Sequence, residues 1–144
     1  MSTQPYQPLY QASACPENLN GSRIVLVDDE PGTTLLWSVI LAQAGYKVIR
    51  CHNPASALKM IYDGCDLVIT DYQMPGLSGA ELIRRARPMT RAKFILLTGN
   101  QDREVAADAF AAGAAAVIYK PAEPRSVVAL ARSLCGRMPR LCAV

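Results

Sequence analysis

Asp71 closes a short apolar run, Leu67-Val68-Ile69 with Thr70, and a second apolar run, Ile24-Val25-Leu26-Val27, ends in the pair Asp28-Asp29. If the two runs are neighbouring parallel strands, all three acids converge on one rim. Like charges held that close repel, and a divalent cation would relieve the repulsion. Clustered oxygen ligands suit magnesium, Mg2+. Two more polar residues stand where apolar runs end: Thr98 after Phe94-Ile95-Leu96-Leu97, and Lys120 after the run from Ala115 to Tyr119. Acid, hydroxyl and amine at one rim suit phosphoryl chemistry. A carboxylate can attack phosphorus and form an acyl phosphate, while a metal ion and a fixed ammonium offset charge on the transferring oxygens. A hydroxyl and a nearby backbone N–H, here Thr98 and Gly99, can hold those oxygens.

Each signal alone has an ordinary explanation. Aspartate at a strand end favours turns and helix caps, threonine satisfies turns, and a lysine there is usually solvated. The argument rests on finding all of them at once, on four separate strand ends.

The elements needed to position these residues are legible from Arg23 onward. Strands are expected at Ile24–Val27, Tyr46–Cys51, Asp66–Thr70, Lys93–Thr98 and Ala115–Tyr119. Helices are expected between and after them. The first starts at Pro31, whose missing N–H does no harm in a first turn, and shows Leu35, Leu36, Val39, Ile40 and Ala44 as an apolar stripe. Gly45 supplies its left-handed stop. Asn53-Pro54 caps a second helix, lined by Ala57, Leu58 and Ile61 and ended by Gly64. The third runs from Leu77 to Ala86 with Leu82, Ile83 and Ala86 inward. An alanine-rich fourth runs from Asp102 to Ala112, where Ala106, Ala107, Ala109 and Ala111 give a small, smooth face. The last runs from Glu123 to Leu134 with Val127, Val128, Ala131 and Leu134 inward, and stops at Gly136. Trp37 and Tyr62 read as packing residues. Strict strand–helix alternation calls for a parallel sheet covered on both faces, with right-handed crossovers and a ligand rim at the carboxyl ends of the strands where the order reverses.

The 144 residues, 51% of them apolar, are enough for one domain with a real core and too apolar for a disordered chain. Residues 1–22 carry Pro5, Pro8 and Pro16 without periodicity and read as a flexible leader; 23–136 form the domain; 137–144 form a short tail. The formal charge of +3 and the scattered basic residues, Arg84-Arg85-Ala86-Arg87 included, read as solvated helix faces rather than a nucleic-acid patch. Five cysteines in odd number and without a CxxC spacing argue against disulfide frameworks and zinc sites. His52, the sole histidine, is too isolated for a metal site. No apolar run reaches membrane-spanning length, so the expectation is a cytoplasmic protein with no membrane insertion.

With these residues in hand, the stretch from about Arg23 to Cys135 resembles the receiver domain of two-component response regulators, of the single-domain chemotaxis-regulator type. The matching segments are Val27-Asp28-Asp29-Glu30, Asp71-Tyr72-Gln73-Met74-Pro75-Gly76-Leu77-Ser78-Gly79, Leu97-Thr98-Gly99 and Tyr119-Lys120-Pro121. The resemblance implies a flavodoxin-like fold whose five strands lie in the order 2-1-3-4-5. It implies Asp71 as phosphoacceptor, and Asp28, Asp29, Asp71 and the Gln73 backbone carbonyl as magnesium ligands. Thr98, Gly99 and Lys120 would contact the phosphoryl group. Gln73 and Asn100, near the path of attacking water, would tune the lifetime of the acyl phosphate. The Lys120-Pro121 bond is expected to be cis. The implied partners are a sensor histidine kinase or histidine phosphotransfer protein and an unidentified downstream protein, with no direct nucleic-acid binding. The alanine face of the fourth helix suits a partner helix or a second copy in a weak homodimer, or reflects helix propensity alone.

One departure matters. Receivers of this type place an aromatic switch residue three positions before the lysine, and here that position is Val117. Tyr119, two residues on, shares its strand face, so either Tyr119 substitutes or the signal travels differently. Two rival readings remain: an interaction module that is never phosphorylated, and a phosphatase with an aspartyl-phosphate intermediate. The second needs another Asp two residues after the nucleophile, and Gln73 stands there instead.

Overall fold

A computed structural model describes residues 21–135. Residues 1–20 of the expected leader and the tail with its Gly136 stop lie outside the described residues, while Ser22, expected in the leader, is buried and its carbonyl accepts the Lys47 N–H at 2.9 Å. In chain order the elements are β1 (Arg23–Val27), α1 (Pro31–Gln43), β2 (Lys47–Cys51), α2 (Pro54–Asp63), β3 (Leu67–Thr70), α3 (Gly79–Ala86), a 3-10 turn (Arg87–Met89), β4 (Lys93–Thr98), α4 (Arg103–Ala112), β5 (Ala116–Tyr119) and α5 (Pro124–Cys135). All strand pairs are parallel and the sheet order is β2-β1-β3-β4-β5, as expected.

Strand side chains alternate between the two covered faces. Ile24, Leu26, Leu67, Ile69, Ile95 and Leu97 pack with Trp37 and Leu41 of α1 and Val127 and Ala131 of α5. Val25, Val27, Val68, Phe94 and Leu96 pack with α2, α3 and α4 through residues such as Ile61, Leu82, Ile83 and Ala109. Because both faces are buried, the strands read as unbroken apolar runs. Each fully buried Ile, Leu or Val contributes roughly 1.5–3 kcal/mol.

Helix starts follow local chemistry. The Asn53 side chain accepts the Ser56 N–H at 2.9 Å, and the Ser78 hydroxyl oxygen accepts the Glu81 N–H at 3.1 Å, satisfying donors the helices leave open. At the other ends, Gly45 and Gly64 adopt positive φ of 105° and 123°.

Three expectations about faces are corrected. On α1 the buried residues are Thr34, Trp37 and Leu41, while Leu35, Leu36 and Val39 are exposed. Apolar residues occur all round this helix, so spacing does not choose a face. The bulk of Trp37 does, and Thr34 is tolerated inside because its hydroxyl donates to the Pro31 carbonyl at 3.0 Å. Tyr62 is 72% exposed and packs nothing substantial. The α4 face is not uniformly small: Ala109 points into the core, and Phe110 stands half-exposed beside Ala107 and Ala111. Element ends also shift slightly. Tyr46 precedes β2 as a buried residue, and α3 begins at Gly79 rather than Leu77.

Among the described residues, no helix is long and apolar enough to cross a membrane. Cys51 is buried and Cys65 half-buried, and burial pushes the Cys65 thiol up to about 11. Both behave as small apolar residues. The arginine cluster is occupied rather than free: Arg84 pairs with Asp108 and Glu81, Arg85 with Glu81, and Arg87 donates to the Ala112 carbonyl.

Candidate functional site

The order in which strands are added reverses between β1 and β3, all strands staying parallel, and the residues after these two strands share one edge. Backbone ladders continue past the strands to hold them there. The Asp71 N–H donates to the Val27 carbonyl at 3.0 Å, and the Asp28 N–H to Cys51 at 3.2 Å. On the other side the Lys120 N–H donates to the Thr98 carbonyl at 2.8 Å. These bonds fix the spacing of the side chains that follow.

Oxygens of Asp28, Asp29 and Asp71 lie within 4.8 Å of one another. Asp28 is 4% exposed; its Oδ1 accepts the Glu30 N–H at 3.0 Å and its Oδ2 the Lys120 ammonium at 2.9 Å. Lys120 Nζ also reaches Asp71 Oδ2 at 3.5 Å, and Asp71 Oδ1 accepts the Tyr72 N–H at 2.7 Å. Burial by itself would lower the Lys120 pKa. The hydrogen bond to Asp28 and the charges of Asp71 and Asp28 outweigh it, so the ammonium titrates above the ordinary lysine value of 10.5. One positive charge thus faces three negative ones. The surplus of anionic oxygens, hard and closely spaced, fits a magnesium-type cation.

The other expected residues stand on strand ends and loops at the same edge of the sheet. Thr98 is 1% exposed; its Oγ1 accepts the Asn100 N–H at 3.1 Å, and no acceptor among the described residues takes its proton. Gly99 is exposed. The Asn100 side-chain oxygen accepts the Asp102 N–H at 3.0 Å, so it shapes the loop into α4. Gln73 is exposed and lines an open cleft of about 510 Å³ with Asp29 and residues 72–78. Val117 is half-buried and opposes Leu96; Tyr119 opposes Thr98 and is 39% exposed. Tyr119 therefore lies beside the threonine without being buried against it. The Lys120-Pro121 bond is cis.

Sequence reasoning passed over two features. Gly79 donates its N–H to the Tyr72 carbonyl at 2.7 Å, and a Cβ there would collide with the Asp71 carbonyl oxygen and come within 2.9 Å of Leu96 Cδ1. The backbone of the loop folds so tightly over Asp71 that only glycine fits. Gly79→Ala is expected to lower stability by about 1–3 kcal/mol through overpacking and to displace the Asp71 backbone; urea unfolding measures the first. The glycine was visible in the sequence, but its tight contact was not. The second feature is Asp108 on α4, which accepts the Tyr72 hydroxyl at 3.1 Å and pairs with Arg84. Nothing in a helix-surface aspartate marks it as a partner for a loop 36 residues away.

A doubly wound parallel sheet with an acidic cluster and a lysine at its switch point places the chain among α/β proteins with a polar site at the strands' carboxyl ends, and comparison narrows the class. The family described as "Response regulator receiver domain" matches residues 24–132, and the chain belongs to it. The phosphate regulon transcriptional regulatory protein PhoB of Pseudomonas aeruginosa is 32% identical over 121 residues, covering 81% of this chain and 53% of that protein. A CheY-like receiver domain protein from Methanospirillum hungatei JF-1 superimposes with a TM-score of 0.75 at 29% identity, covering 79% of this chain and 93% of that one. The DrrB receiver domain, solved in a BeF3-activated state, gives 0.72 at 29%, covering 81% and 98%. The chain spans about half the length of the curated relatives it matches. Receiver domains are signalling domains of two-component systems that interact with histidine kinases or phosphotransfer proteins, generally bind Mg2+, and are not generally classed as enzymes.

Proposed function

We propose that this chain is a phosphorylation-dependent switch that takes a phosphoryl group on Asp71 from a phosphohistidine of a sensor kinase or phosphotransfer protein. The observation that carries the reading is the single ammonium of Lys120 lying 2.9 Å from Asp28 and 3.5 Å from Asp71, inside a cluster of three carboxylates. A structural salt bridge needs one acid; this group has a surplus of anion around a carboxylate that is still partly open.

The chain's own residues supply most of the step. A carboxylate oxygen of Asp71 attacks phosphorus in line with the departing imidazole; the O–P bond forms as the N–P bond breaks, and the imidazole nitrogen keeps the electron pair. Lys120, already shared between Asp28 and Asp71, turns toward a phosphoryl oxygen with little movement. Thr98 directs its uncommitted hydroxyl proton at another, and the Gly99 N–H at a third. Asp28, Asp29, Asp71 and the Gln73 carbonyl would hold a magnesium ion, which supplies charge neutralisation at the phosphoryl oxygens when bound. Gln73 and Asn100 border the path of hydrolytic water and set the lifetime of the product. Phosphorylation shifts the population between two packings of the loops after β3 and β4, and a downstream protein reads the change. The chain's partners would be proteins rather than nucleic acid. The thiols favour a cytoplasmic setting.

The test is intact-mass measurement after incubation with acetyl phosphate. One phosphoryl group added only when Mg2+ is present, and removed by hydroxylamine, supports the reading; an unchanged mass in both conditions contradicts it.

A protein phosphodonor must also bury surface beside the site. Helix α1 begins just after the acid pair and turns Leu35, Leu36 and Val39 to solvent, each about half exposed. Leu36→Glu is expected to leave stability within about 0.5 kcal/mol, as an exposed site, and to leave acetyl phosphate uptake unchanged. Transfer from a phosphorylated kinase should slow by about tenfold, which a phosphotransfer time course measures.

A further inference from the structure

Helix α4 is tied to the rim at two places. At its start, the Asn100 N–H is held by Thr98 Oγ1 and the Asp102 N–H by Asn100 Oδ1, and Asp102 immediately precedes the helix. In its second turn, Asp108 accepts the Tyr72 hydroxyl at 3.1 Å and is gripped on its other oxygen by Arg84 of α3, which also reaches Glu81 at 3.3 Å. Tyr72 is the residue bonded to Asp71, and its N–H holds Asp71 Oδ1 at 2.7 Å. Its ring packs partly buried against the apolar cluster under α2, α3 and α4. A rigid side chain with two rotatable bonds therefore runs from the acidic rim to the middle of α4. The Arg84 hydrogen bond, ahead of that from Tyr72, holds the Asp108 carboxyl below its usual range, so the acceptor is charged throughout the neutral range.

We propose that Tyr72 is a positioning residue that couples occupancy of Asp71 to the placement of α4, through a hydroxyl bond to Asp108 that belongs to the unphosphorylated state. The inference rests on Asp71 being the phosphoacceptor. Phosphorylation removes the charge from the carboxylate that the Tyr72 N–H now contacts, which weakens that bond and loosens the loop. The same event gives the Thr98 hydroxyl a dianionic acceptor and draws on the start of α4. The tie at Asp108 cannot follow both movements, and it gives. A contact present in one state only biases the equilibrium against the other, by the same factor for either direction of the linkage. Val117 and the exposed Tyr119 leave the β5 side without a buried aromatic to do this work.

The experiment is a calorimetric titration of the full chain with beryllofluoride at saturating Mg2+, for wild type, Tyr72→Phe, Asp108→Ala and the double variant. Phenylalanine keeps the packed ring and removes only the hydroxyl; thermal unfolding of the unliganded proteins checks that each is folded. Each single variant is expected to bind beryllofluoride about three- to tenfold tighter, and the double variant no tighter than either. The α4 amide resonances of unliganded Tyr72→Phe should move toward those of liganded wild type, a change that mere loss of a structural bond would not produce. Unchanged or weaker binding by Tyr72→Phe overturns the proposal, as does full additivity in the double variant. A wild type that does not bind beryllofluoride overturns the phosphoacceptor reading and this coupling with it, whereas normal wild-type binding with an indifferent Tyr72→Phe removes the coupling alone.

Discussion

Asp71→Asn is expected to abolish phosphoryl uptake from acetyl phosphate and from a kinase, and to leave the fold intact. The amide is nearly isosteric with the carboxylate. Its oxygen can still accept the Tyr72 N–H that Asp71 Oδ1 holds at 2.7 Å. What disappears is the nucleophile, since a neutral amide oxygen does not form a stable acyl phosphate. Stability should not fall, because the substitution removes one of three anions crowded within 4.8 Å; mutual repulsion at that spacing is about 1 kcal/mol even in water. In metal-free buffer the variant should unfold at the same temperature as wild type or slightly above it. Intact mass reports the first outcome and calorimetric melting the second. Uptake by the variant at a wild-type rate would mean that another residue is the acceptor.

Lys120→Ala is expected to move two quantities in opposite directions. Phosphoryl uptake should slow by about 10²–10³-fold, the scale for removing a preorganised charge from a developing anion. Magnesium should bind tighter, by about tenfold, because the ammonium that now lies 2.9 Å from Asp28 and 3.5 Å from Asp71 no longer competes for the same oxygens. Stopped-flow phosphorylation and calorimetric Mg2+ titration measure the two. A lysine needed only for folding would weaken both. The pH dependence follows from the raised Lys120 pKa. A group whose folded pKa lies above its unfolded value of 10.5 stabilises fully below 10.5, and that contribution is lost as pH rises through the folded value. The stability difference between wild type and Lys120→Ala should therefore be flat from neutral pH to about pH 10 and shrink beyond it.

The fold was legible because the sheet is covered on both faces. Runs such as Ile24–Val27 and Phe94–Leu97 must be apolar at every position, so they stand out, and the polar residue after each run marks the rim. That is why the sequence assigns Asp28, Asp71, Thr98 and Lys120 to one rim. Helix α1 defeated the same reasoning. Its residues from Leu35 to Ala44 are almost all apolar, so no periodicity distinguishes the inward Trp37 and Leu41 from the outward Leu36 and Val39. Tyr62 misled for a simpler reason: an aromatic at the last turn of a short helix need not reach the core. The tie between Tyr72 and Asp108 was invisible because it depends on how α4 sits over the β3–α3 loop, where Ala80 and Ala109 are buried in one cluster. Small residues in a sequence do not announce which surfaces they bring together.

The central claim concerns one bond, between phosphorus and an oxygen of residue 71. Borohydride reduction of the acyl phosphate followed by peptide mapping tests it most directly, because reduction converts a phosphorylated aspartate to homoserine with loss of phosphate and leaves the others unchanged. The account predicts homoserine at position 71 alone, in samples given phosphodonor and Mg2+ together. Homoserine at position 28 or 29, or none anywhere under those conditions, would contradict it.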